Sequence, residues 1–168
     1  MEPLIGLVLV TTAVLVAGRR RPARSGVVTA LRAGVAVMFL MTGVAHFVGM
    51  RAELVAMVPD GLPAPELLVT ATGLLEIAGA LAMASRRLAP WAAAGLSLLL
   101  VAMFPANVHL ALTGTDLDWW DHLVPRTIMQ LVFLAATTTV AAAGLQDLRR
   151  RRAGTGVRTP DEPVRAAR

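Results

Sequence analysis

The chain has 168 residues, enough for one domain, and 56% of them are hydrophobic while only 16% are charged, against about 25% charged in soluble domains. The charge sits in short clusters between long uncharged stretches, which is the pattern of a membrane protein. The net charge of +5 comes from sixteen Arg and no Lys, placed at the ends of apolar runs, which excludes nucleic acid as the partner; the absence of Cys excludes disulfide exchange, thiolate metal sites and Cys-ligated iron–sulfur clusters.

A helical span needs roughly 20 apolar residues, because the hydrocarbon core is about 30 Å thick and a helix rises about 1.5 Å per residue. Five stretches are predicted. The first, Pro3 to Gly18, is short at 16 residues. Its flanks do not suit a secretory signal, since Glu2 precedes it and Arg19, Arg20 and Arg21 follow it. It reads as a short uncleaved span. The second runs from Val27 to Met50, with Arg32 near its start and able to snorkel. The third spans about Leu67 to Ala84, the fourth about Trp91 to Leu112, and the fifth about Leu123 to Leu145. Residues 146–168 are polar and rich in Arg, and read as a disordered tail. The expected fold class is an all-α membrane bundle. Residues 1–26 form an N-terminal span and basic loop, and 27–145 a four-helix core.

Orientation follows from the basic residues in the loops. The loop Arg19 to Gly26 holds four Arg, the loop Ser85 to Pro90 holds Arg86 and Arg87, and the tail holds seven more. With five spans these fall on one side, expected to be cytoplasmic. The other side receives Glu2, a loop with Arg51, Glu53, Asp60 and Glu66, and a loop with Asp116, Asp118 and Asp121. The N-terminus is thus expected outside and the C-terminus inside, in the plasma membrane. Pro59, Pro63 and Pro65 exclude a continuous helix in the first outer loop, and Gly61 permits a tight turn there. Trp119 and Trp120 suit an interfacial belt in the second. Both loops are expected to lie along the membrane surface. Gly34, Gly43, Gly73, Gly79, Ala80 and Gly95 are expected to let neighbouring helices approach closely.

An ionisable group at mid-bilayer costs about 2.5–3.5 kcal/mol on insertion scales and calls for a partner. Glu76 lies near the centre of the third span, and the candidate cation for it is Arg126. Gln130 lies one turn deeper than Arg126 on the same helix face. His46, Asn107 and His109 also fall in the outer half. His46, Glu76, Asn107, Arg126 and Gln130 therefore form a candidate polar cluster from four helices. Pro105 is expected to break the fourth span and free the carbonyl of Val101, which Asn107 or a neighbouring helix could satisfy. Two readings stay open. The cluster is interhelical glue, or it is a ligand or proton site. His46, His109 and His122 lie on separate segments with no helical His or Glu partner, so no metal site is expected. No nucleophile elbow, phosphate loop or dinucleotide fingerprint is present. The Arg-rich tail suits a topology determinant that binds anionic membrane lipid.

The runs GVAHF (Gly43 to Phe47), MVPDGLPAP (Met57 to Pro65), TGLLEIAGAL (Thr72 to Leu81), FPANVHLAL (Phe104 to Leu112) and PRTIMQ (Pro125 to Gln130) resemble the DoxX family of small membrane proteins. The resemblance covers the last four spans and implies a four-helix membrane core, to which the first span is an addition. It implies no fixed activity. The family takes its name from a subunit of a thiosulfate:quinone oxidoreductase, and other members are linked to oxidative-stress complexes or membrane-protein assembly. The expected function is thus an accessory or assembly subunit of a membrane complex, partnered by lipid and other membrane or redox subunits, without a cofactor and not an enzyme alone. The alternative is a quinone-interacting redox subunit. In that reading Glu76 accepts a proton, and His46 or Arg126 hydrogen-bonds a quinone carbonyl. A small transporter is a weaker third reading, because no internal repeat is visible.

Overall fold

A computed structural model describes residues 2–18 and 24–155. The described residues are mainly helical, without strands. The elements are α1 (Glu2–Ala17), α2 (Arg24–Ala45), α3 (Arg51–Ala56), α4 (Pro65–Ala82), α5 (Ala89–Thr113), a 3-10 turn (Trp119–Asp121) and α6 (Leu123–Thr155). Among the described residues four helices are long and apolar enough to cross a membrane, over Gly26–Ala45, Pro65–Ala82, Ala89–Thr113 and Leu123–Ala153. This is the make-up of a membrane protein. The 16-residue α1 is apolar but shorter than these four.

Local chemistry sets the ends. Gly49, at φ 83°, turns the chain after α2, a conformation glycine adopts without steric cost. The turn expected at Gly61 does not use that region, and the left-handed residue of this loop is Ala64, at φ 51°. Pro65 follows it at the first position of α4, where its missing N–H costs nothing. The loop before it carries the short α3, which the count of spans passed over. Pro105 does not break α5, which runs on through it.

The tail expected from residue 146 is helical as far as Thr155, and 156–168 lie outside the described residues. Arg151 Nε donates to Asp147 Oδ2 at 2.9 Å one turn away. The cations Arg149 to Arg152 sit where the helix dipole favours positive charge. Residues 19–23 of the expected basic loop also lie outside the described residues, and α2 begins at Arg24, ahead of the expected Val27.

Consecutive long helices run antiparallel. Along the α5–α6 seam Pro90 meets Gly144, Ser97 Oγ donates to Thr137 Oγ1 at 2.8 Å, and Asn107 meets Arg126. On the α2–α4 seam the approach is reciprocal. A Cβ on Gly43 would lie 3.1 Å from the Gly73 carbonyl and 2.8 Å from Ile77, and one on Gly73 would lie 2.5 Å from the His46 Cβ. The space left by two missing Cβ atoms is what brings these backbones together. Gly79 meets Leu96 in the same way, and Gly34 meets Thr11 and Leu7 of α1. Gly95 does not act so: nothing lies within 4 Å of its Cβ position.

The bundle is divided along its length. The apolar core gathers Val35, Met38, Phe39, Met83, Ala93, Leu96, Val140 and Ala141, all toward the end that carries Arg86 and Arg87. Buried His46, Glu76 and Gln130 lie toward the other end, with α3 and the 3-10 turn. The outside is apolar, with Leu67, Leu98 and Leu112 each exposed by two thirds or more.

Candidate functional site

The five candidate residues form two groups on two helix pairs. The first group spans α2 and α4. His46, just past the end of α2, and Glu76, at mid-α4, are each 3% exposed. The His46 Nδ1 lies 3.9 Å from the Glu76 Oε2 and 2.8 Å from the Thr42 carbonyl one turn back. Glu76 Oε2 has no hydrogen-bond partner. Gly73 sits one turn before Glu76 on the same face, and its missing side chain is what lets the imidazole lie against α4.

The second group spans α5, α6 and the 3-10 turn. One Arg126 terminal nitrogen donates to Asn107 Oδ1 and the other to Asp121 Oδ1, both at 2.7 Å. These are short, charge-assisted bonds. Together they fasten the Trp119–Trp120 corner to the bundle. The two indoles meet edge to face at 5.6 Å. One turn deeper, Gln130 Nε2 donates to the Leu100 carbonyl at 2.6 Å. That carbonyl is next to the one Pro105 leaves without its helical donor, so the neighbouring helix supplies the polar cover for this stretch.

The expected pairing of Arg126 with Glu76 is therefore not what forms. Arg126 is taken by Asn107 and Asp121, and Glu76 faces His46. Helix depth alone made Arg126 the natural partner, but the two residues point to different seams. Two contributors escaped the sequence reading. In the sequence Asp121 reads only as a loop charge, although it lies five residues before Arg126. Arg51 reads the same way. Its guanidinium donates to the Thr70 hydroxyl at 3.0 Å and reaches the His46 and Glu66 carbonyls at 3.4 Å. It thus bridges the end of α2 and the start of α4 above the His46–Glu76 pair. The signal available is its position directly after the predicted second span and eight residues before Pro59. Among the described residues no group of three or more His, Cys, Asp or Glu could hold a metal ion.

A family model described as a domain of unknown function, DUF8561, matches residues 35–141. The chain belongs to the DUF8561 family. The DUF8561 stretch starts within α2 and ends within α6, so it holds both polar groups and leaves α1 outside. No curated protein and no solved structure matches the chain.

Proposed function

We propose that the chain is a multi-pass integral membrane protein of the DoxX type, acting as an accessory or assembly subunit of a membrane complex. The observation that carries this reading is how the polar groups are spent. Arg126, Asn107, Asp121, Gln130, Ser97 and Thr137 are joined helix to helix, while the outer surface is apolar. A bundle built this way holds its own shape in lipid and offers apolar faces to neighbours. The DoxX resemblance supports a four-helix core, α2 and α4 to α6, with α1 as an addition. The Arg clusters at one end support a plasma-membrane protein with that end cytoplasmic and the α3 end outside. Anionic lipid is the partner that Arg149 to Arg152 suit. Native electrophoresis of the tagged chain at its own expression level is the test. The expected result is one complex of fixed composition containing a second membrane protein. A chain that migrates by itself, and carries activity by itself, would refute the reading.

A quinone-interacting redox subunit is the second reading, favoured by the orphaned Glu76 Oε2 beside His46. A quinone carbonyl only accepts, so the donors here would be a protonated Glu76 carboxyl or the Nε2–H of a cationic His46, whose Nδ1 is held by the Thr42 carbonyl. Arg126 does not serve there, since its terminal nitrogens are committed to Asn107 and Asp121. When bound, a quinone would supply two-electron redox chemistry, and the chain's part would be to orient it and hold a proton at Glu76. Mass spectrometry of lipids extracted with the mildly solubilised protein decides it. A stoichiometric quinone lost on Glu76→Gln supports the reading. No quinone, with Glu76→Gln only lowering thermal stability, ends it.

A further inference from the structure

The polar atoms around His46 and Glu76 constrain how many protons the two can carry. The Thr42 carbonyl only accepts, so at 2.8 Å the His46 Nδ1 carries a hydrogen, and in the neutral ring the lone pair is on Nε2. The Glu76 Oε2, 3.9 Å from that same nitrogen, is buried without a hydrogen-bond partner. The Thr42 hydroxyl lies beside the carboxyl and also reaches the Phe39 carbonyl at 3.3 Å, so its single hydrogen is shared between two acceptors.

Among the described residues neither group makes an ion pair with any other side chain. Arg51 of α3 reaches the His46 and Glu66 carbonyls and the Thr70 hydroxyl, and makes no ion pair. Glu66 of α4 and His109 of α5 form none either. Arg126 of α6 is turned to Asn107 and Asp121. Each of the two buried groups thus has the other as its ion-pair partner.

With no proton between them, the pair is a lone buried carboxylate. With two, it is a lone buried cation. Both leave an uncompensated charge away from water. With one proton the pair is neutral, whether that proton sits on the carboxyl or completes the imidazolium. We propose that His46 and Glu76 form a buried proton-binding site that holds one proton between them, with Arg51 standing between it and the α3 end of the bundle. The ligand is the proton itself. A seam too tight for a Cβ on Gly43 or Gly73 admits it without rearrangement. The site uses the same two residues as the quinone reading and holds its proton in the chain without a quinone.

The full chain in lipid nanodiscs tests this, by infrared difference spectroscopy of the carboxyl and NMR of the imidazole nitrogens. At neutral pH the expected result is a protonated carboxyl beside a neutral ring, or an ionised carboxyl beside a cationic ring, with one proton lost as the pH is raised. Glu76→Gln removes the carboxyl signal and leaves a neutral His46 with hydrogen on Nδ1. An ionised carboxyl beside a neutral ring at neutral pH overturns the proposal, and so does a protonated carboxyl beside a cationic ring. Should Glu76→Gln not fold, isotope labelling of glutamate in the unmodified chain identifies the buried carboxyl by its slow deuterium exchange. The same proton count then decides. The count is read on chain stripped of bound lipid and quinone, so a failure of the quinone reading and a failure of the proton site are distinguishable.

Discussion

Replacing Gly73 by Ala is the sharpest probe of the α2–α4 seam. The added Cβ would lie 2.5 Å from the His46 Cβ and 2.9 Å from the Phe47 ring. Ordinary contact begins near 3.4 Å, so α2 must retreat by about 0.9 Å at this point. The His46 Cβ is fixed to its backbone and cannot swing aside as a chain end would. Overpacking of this kind costs typically about 1–3 kcal/mol. Exchanging Gly for Ala inside a helix returns about 1 kcal/mol of propensity. With the collision near the severe end, the expected net loss is about 1–2 kcal/mol. At about 2–4 °C per kcal/mol for a chain of this size, that lowers the unfolding midpoint by roughly 2–8 °C. Gly95→Ala supplies the control, because its Cβ meets nothing within 4 Å. It gains the same propensity without a clash and should raise the midpoint by a few degrees. Thermal unfolding of both variants in one detergent, followed by size-exclusion chromatography, reads the difference. Equal midpoints, or a Gly73→Ala protein more stable than the parent, would refute the argument that this seam is built on missing Cβ atoms.

Asp121→Ala should free the Trp119–Trp120 corner and cost about 1.5–3 kcal/mol, since it removes a bond to a charged group from a partly covered Arg126. Faster limited proteolysis within 114–122, with α5 and α6 intact, is the expected readout. Gln130→Leu strips the polar cover from the Leu100 carbonyl. It should lower stability by about 0.6 kcal/mol and by no more than roughly 1.7, the range found for interhelical bonds in a bilayer; an unchanged midpoint would mean that water replaces the amide. Gly34→Ala should push α1 off α2, because the new Cβ meets Thr11 and the Leu7 carbonyl. Cysteine cross-links between α1 and α2, placed in a chain that has no Cys of its own, should then form more slowly while those between α5 and α6 do not change. A reporter fused to the C-terminus should be active only in the cytoplasmic form, and activity on the outside would reverse the orientation.

Much of the bundle was legible in the linear sequence because hydrophobic length is a local property. Runs such as Leu67 to Ala84 and Trp91 to Leu112 announce helices long enough to cross a membrane, wherever their neighbours lie, and the structure has them within two residues at Pro65–Ala82 and Ala89–Thr113. The Arg clusters and Pro-rich segment mark the ends of these runs for the same reason. Helix rise also gives depth, so His46, Glu76, Asn107, Arg126 and Gln130 could be assigned to one half of the bundle before any contact was known. Depth does not say which way a side chain faces. That angle depends on which helices are neighbours, and here it is decided by paired glycines on α2 and α4 and by the α5–α6 seam from Pro90–Gly144 to Asn107–Arg126. The tertiary structure therefore separated what the sequence had grouped, handing Arg126 to Asn107 and Asp121 and leaving Glu76 to His46. Arg51 and Asp121 changed from loop charges to bridging groups for the same physical reason: a loop's composition is local, but the carbonyls and carboxylates within its reach are set by the packing of helices distant in the chain.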